Sequence, residues 1–105
     1  LIAQHLRAWA SYRGVPAELY YWRTKSGSEV DFVVYGADVF VAIEVKRSRN
    51  VHNTDLRALK AFQEDYPEAS ACLLYMGKEE IKINDVLCLP CDTFLTKLHP
   101  QDPIL

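Results

Sequence analysis

The sequence predicts a single α/β domain, a mixed central sheet flanked by helices, with its elements in the order helix, three strands, helix, strand (αβββαβ). Three observations carry this reading. Ile2, Leu6, Trp9 and Ala10 recur at helical spacing. Two alternating runs, Glu29 to Tyr35 and Val39 to Lys46, flank the break Gly36-Ala37-Asp38, a separation typical of a hairpin. A second helical pattern at Leu56, Leu59 and Phe62 leads into the near-continuous apolar run Ala71 to Met76, which suits a strand buried on both faces.

The first helix is expected over residues 1 to about 13, ended by Gly14 with Pro16 just beyond. Glu18 to Arg23 is aromatic and strand-like, and Thr24-Lys25-Ser26-Gly27 reads as a turn. After the hairpin comes a polar loop, Arg47 to Asn53, and Asn53 or Thr54 is placed to cap the second helix, which Pro67 closes. Ile81 to Ile83 and Asp85 to Leu89 are expected as short strands, and residues 91–98 as a last helix. The core thus spans about 1–76, with a C-terminal addition over 77–105.

With 105 residues the chain suffices for one domain and one modest core. Half its residues are apolar and a quarter charged, as in ordinary soluble proteins. No apolar run approaches the roughly 20 residues of a membrane span, so no membrane partner is expected. The start, LIAQHLRAWA, lacks Met and a basic lead-in and resembles the middle of a helix. The chain is therefore read as a fragment of a longer protein. Cysteines at 72, 88 and 91, an odd count without a secretory signal, imply a reducing, cytoplasmic setting. Net charge is −2, but residues 1–60 hold nine Lys/Arg against six Asp/Glu, and residues 61–105 hold three against eight. Any nucleic-acid surface must then be a local patch, and the candidates are Arg23, Lys25, Arg47, Arg49, Arg57 and Lys60.

The hairpin carries four charges that a sheet core should lack: Glu29, Asp31, Glu44 and Lys46. By strand alternation Glu29, Asp31, Val33 and Tyr35 share one face, and Val30, Phe32 and Val34 the other. A two-residue loop at Ala37-Asp38 sets Asp31 across from Glu44, and a slip by two still gathers the carboxylates on one face. Two bare carboxylates about 5 Å apart repel by roughly 3 kcal/mol at an effective dielectric near 20. Lys46 is expected to offset part of this and a divalent cation, Mg²⁺ or Mn²⁺, the rest, with Asp31 and Glu44 as ligands and Glu29 in support. Such a centre suits metal-assisted phosphodiester hydrolysis. The plainer reading is an edge hairpin with one solvated face and a cross-strand salt bridge.

Asp, a hairpin and then Glu-x-Lys, between two helices, resembles the PD-(D/E)xK (restriction-endonuclease-like) nuclease superfamily, whose core order is αβββαβ. The resemblance implies metal binding by Asp31 and Glu44 and a catalytic role for these two with Lys46. Tyr21-Trp22-Arg23, Gly27-x-Glu29-Val30-Asp31-Phe32 and Glu44-Val45-Lys46, with LIAQHLRA at the start, are similar over residues 1 to about 76 to the C-terminal domain of unknown function of prokaryotic AAA+-type ATPases. That likeness implies an ATPase domain N-terminal in the same chain. The first helix offers Gln4 and His5 but no acid, which the superfamily often places there. Gln63-Glu64-Asp65-Tyr66 falls one residue short of the Gln-x-x-x-Tyr of the RecB-like branch.

Cys88-Leu89-Pro90-Cys91 has redox-motif spacing, but two buried thiols is the simpler reading. His52 is expected on a solvated loop. Tyr20, Tyr21 and Trp22 are expected to pack in the core, a stacking face being the alternative. Two functions stay open: a metal-dependent nuclease-like domain acting on nucleic acid, and a catalytically inactive module of that fold regulating the ATPase. Homo-oligomerisation is compatible with both.

Overall fold

The computed structural model describes residues 1–25 and 27–105. Ser26, inside the predicted turn, lies outside the described residues. The elements are α1 (Ile2–Tyr12), β1 (Ala17–Arg23), β2 (Glu29–Gly36), β3 (Val39–Val45), a 3₁₀ turn (Asn53–Leu56), α2 (Arg57–Asp65), β4 (Ser70–Tyr75), β5 (Ile81–Ile83), β6 (Val86–Pro90) and α3 (Cys91–Lys97). They build a mixed six-stranded sheet in the order β1-β2-β3-β4-β6-β5. The β1–β2, β2–β3 and β5–β6 pairs are antiparallel, and β3–β4 and β4–β6 are parallel. The predicted αβββαβ order is present, β5 and β6 extend the same sheet, and α3 packs against it.

Each sheet face has its own core. On one side Val30, Val33, Ala42, Leu73 and Cys88 pack with Leu56, Leu59 and Phe62 from the 3₁₀ turn and α2. On the other, Val34, Val41, Ile43, Cys72 and Leu74 pack with Leu6 and Trp9 of α1 and Phe94 of α3. β4 carries side chains into both, which is why its sequence is apolar without alternation. No helix among the described residues is long and apolar enough to cross a membrane.

Several boundaries shift for local reasons. Asn84 and Asp85 both take positive φ, at 49° and 66°, and form the two-residue loop joining Ile83 to Val86. Asp85 therefore belongs to a turn of the mirror-image type that suits hairpins, not to β6. The predicted caps Asn53 and Thr54 lie within the 3₁₀ turn, and Asp55 accepts the His52 N–H at 2.7 Å instead. At the end of α1, Arg13 adopts an extended backbone. Its guanidinium lies 4.2 Å over the Trp9 ring and pairs with Asp38 in the hairpin loop. Trp9 donates its indole N–H to the carbonyls of His99 and Asp102 at 2.9 and 3.1 Å, fixing the tail to α1.

Gly36 is a second fixed point. A Cβ there would fall 2.5 Å from the Pro16 carbonyl oxygen and 3.0 Å from the Ala17 Cα, both backbone atoms that cannot swing aside. Gly36→Ala is expected to destabilise the domain by about 1–3 kcal/mol, as overpacking does, and Leu59→Ala, at a fully buried position, by about 2–5 kcal/mol. Urea melts of both variants check this; an unchanged midpoint for Gly36→Ala would mean that β1 is free to move away from β2 at its start.

Candidate functional site

The site begins with an irregularity in β2. From Tyr20↔Val33 to Trp22↔Val30 the pairing advances two residues on β1 and three on β2. β2 therefore carries one extra residue in the Asp31–Phe32 segment, opposite Tyr21, as a β-bulge. The extra residue breaks the expected alternation. Val30 joins Val33 in the core beneath α2, whereas Phe32 and Val34 pack on the α1 side. Val30, Phe32 and Val34 thus do not share a face.

The β2–β3 register runs from Gly36↔Val39 to Phe32↔Ile43, as the two-residue loop requires. One step further sets Asp31 beside Glu44. There the regular ladder ends, and a side chain takes over: the Val45 N–H donates to the Asp31 carboxylate at 2.8 Å. Asp31 is exposed and Glu44 half-buried. The Glu44 carboxyl is pushed up to about 8, first by burial, then by its hydrogen bond to Asp31 and the Asp31 charge, with Glu29 adding repulsion. Burial and the neighbouring carboxylate thus both favour the neutral form of Glu44. Glu29 itself pairs with Arg23 at 2.7 Å across the β1–β2 end.

Lys46 does not offset these carboxylates. It lies one residue past β3, where its backbone N–H still bonds the Leu74 carbonyl of β4 at 2.8 Å. Its ammonium is ion-paired with Asp55 on the 3₁₀ turn. Asp55 is held below the usual carboxylate range by Lys46 first and by the His52 N–H second. Sequence reasoning passed over Asp55; the signal for it is an acid three residues after the helix-starting His52, the spacing of a capping residue. The solvated-face reading of the hairpin also fails, because the face bearing Ala42 and Glu44 is covered by Leu56, Leu59 and Phe62.

Asp31 opens on a groove of about 760 Å³, walled by Leu1, Ile2, Phe32, Arg47, Met76 and Asp92 among others. The groove lies at the C-terminal ends of the parallel strands β3 and β4, where open α/β sheets commonly bind ligands. The start of α1 forms part of its wall. Of the six basic candidates, Arg47 stands in this groove with Asp31. Arg49 lines a separate recess of about 450 Å³ with His52 and Lys78. Arg23 is paired with Glu29, and Lys60 donates to the Asn84 carbonyl of the β5–β6 turn. Lys25 and Arg57 are exposed. Two of the six, Arg23 and Lys60, are thus already engaged within the domain. Among the described residues no three His, Cys, Asp or Glu side chains cluster as a ready metal set; Asp31 and Glu44 are two. Gln63 has a structural use, donating to the Ala69 carbonyl at 3.0 Å. Cys72, Cys88 and Cys91 are free and buried. Burial raises all three thiols, Cys72 to about 12, the opposite of a reactive thiolate.

The carboxyl pair fixes a pH dependence. Glu44 binds its proton more tightly in the folded chain than in the unfolded one. Its contribution is therefore full below pH 4.5 and falls as pH rises, until it is lost through about pH 8. Glu44→Gln, which keeps the shape without the charge, is expected to be more stable than the parent at pH 9 by about 1–2 kcal/mol once solvent screening is allowed for. The two should converge near pH 4.5. Paired urea melts at both pH values test this, and an equal gain at both would assign it to packing instead of charge.

A family model described as a domain of unknown function, DUF4143, matches residues 1–94, from α1 into α3 and across the whole candidate site. No curated protein and no solved structure matches the chain. The chain belongs to the DUF4143 family of domains, whose function is unknown.

Proposed function

We propose that the domain is a divalent-metal-dependent, nuclease-like unit that acts on nucleic acid and stands C-terminal to an AAA+-type ATPase. The carrying observation is the meeting of Asp31 and Glu44 at the bulged end of the hairpin, open to a groove that also holds Arg47. The αβββαβ order and the Asp…Glu-x-Lys pattern support the likeness to the PD-(D/E)xK superfamily.

The donor set fits a hard cation. Two carboxylates suffice for Mg²⁺ or Mn²⁺, which keep most of their waters, and Lys46, the cation nearest in sequence, is engaged by Asp55 instead of this pair. Asp31 and Glu44 would hold the ion, which when bound supplies Lewis acidity toward a phosphodiester. The chain's own groups have distinct parts. The Val45 N–H fixes one Asp31 oxygen. Arg47, exposed in the groove, is available to a phosphate oxygen. Lys46 is the candidate for stabilising developing charge at the phosphoryl group. Its pairing with Asp55 favours the second reading, an inactive module that kept the scaffold, because a lysine so engaged must leave Asp55 to reach a substrate.

Calorimetry with MnCl₂ at pH 8 on the parent, Asp31→Asn and Glu44→Gln tests the first reading. Both substitutions keep hydrogen-bonding atoms in place, so the fold is expected to survive. Binding at about 1 mM or tighter, weakened at least tenfold in each variant and accompanied by proton release from Glu44, is the expected result. Equal binding in all three proteins would leave the scaffold without a metal centre and the regulatory reading in its place.

A further inference from the structure

The aromatic run of β1 has no part in the carboxylate site. β1 is the sheet's outer strand and pairs only with β2 among the described strands. Leu19 packs on the α1 side, so Glu18, Tyr20 and Trp22 face the α2 side. There Glu18 stands in register with Tyr35, which is in register with Phe40. A groove of about 330 Å³ runs along this face, lined by Tyr20, Trp22, Tyr35, Phe40, Phe62 and Tyr66, with no Lys or Arg in its wall. Tyr20 and Tyr35 are each 52% exposed and Tyr66 40%, so ring faces meet solvent. Their positions are set by edge contacts, Phe40 to Tyr35 at 4.9 Å and to Tyr66 at 5.6 Å. Core packing thus claims Trp22, which meets Phe62 at 5.3 Å, and leaves Tyr20 and Tyr21 outside.

The surroundings are negative. Glu18 stands in the row with Tyr35. Glu64 and Asp65 are exposed on the last turn of α2, whose carbonyl end adds partial negative charge beside Tyr66. Among the described residues Glu18 forms no ion pair. Aromatic faces with Glu18, Glu64 and Asp65 beside them attract guanidinium or ammonium groups, and the same acids repel phosphates. A free edge strand beside such a groove suits an added strand, whose backbone pairs with the edge while alternate side chains enter the groove.

We propose that β1 and the groove beside it receive an extended segment of a partner protein bearing arginine or lysine at alternate positions. The probe is a capped seven-residue peptide alternating threonine and arginine, titrated into the protein by calorimetry. Binding is expected at micromolar concentration, weakened about tenfold or more by Glu18→Lys and by Tyr20→Ser, and lost when the threonines become prolines, which remove edge-pairing N–H groups. Both substituted positions are exposed, and melting curves confirm that each variant folds. No binding, equal affinity in both variants, or full retention by the proline peptide would overturn the proposal. So would an oligothymidine that competes for the groove, or a protein dimer abolished by Tyr20→Ser that excludes the peptide.

Discussion

Parallel pairing of β3 with β4 gives the hairpin its chemistry. A hairpin alone can turn one face to water, and its charged residues then cost little. Here β3 lies inside the sheet with helices on both sides. Ala42 and Glu44 therefore point into a layer floored by the sheet and roofed by the 3₁₀ turn and α2. Burying a carboxyl costs far more than exposing one, and the chain meets that cost at the end of the strand, where the covering runs out. Glu44 sits at this limit, half-buried, next to the exposed carboxyl of Asp31.

The bulge in β2 reconciles packing with that charge. Without the extra residue Val30 would leave the α2 core. With it, Val30 and Val33 both pack there, and the Asp31 carboxylate is delivered to the Val45 N–H where a backbone acceptor would otherwise be needed. One added residue thus satisfies a ladder donor, fills a core position and brings two acids together. Lys46, which charge counting alone would assign to those acids, is drawn off by Asp55. That carboxylate also accepts the His52 N–H and so braces the entry to α2. The result is an uncompensated acid pair and a neutralised lysine side by side.

The α2-facing side of the sheet is divided along its length. Toward the C-terminal ends of β3 and β4 it is ionic, with Glu44, Lys46 and Asp55, while the neighbouring Asp31 opens on the groove at the start of α1. Toward the hairpin loop it is aromatic, with Tyr35, Phe40 and Tyr66 seated at the C-terminal end of α2. Direct overlap of the two is small, because Val33, Ala42 and Phe62 fill the space between them. This separation allows a charged site and an aromatic one to coexist in a small domain without either desolvating the other.

The element order, the two-residue hairpin loop and the register that sets Asp31 by Glu44 were all determined by the sequence. Each rests on local periodicity and turn length, which short stretches of chain specify by themselves. The two-sided burial of β4 was equally legible in its unbroken apolar run. The bulge was not, because an inserted residue has no local mark and shows only when β1 and β2 are aligned. Nor was the partner of Lys46: a lysine stem reaches several carboxylates, and which one it meets depends on where the 3₁₀ turn packs. The exposure of Tyr20 and Tyr21 was likewise decided by tertiary structure, since an aromatic strand has the same sequence pattern at the edge of a sheet as at its centre, and among the described residues no strand lies beyond β1 to cover those rings.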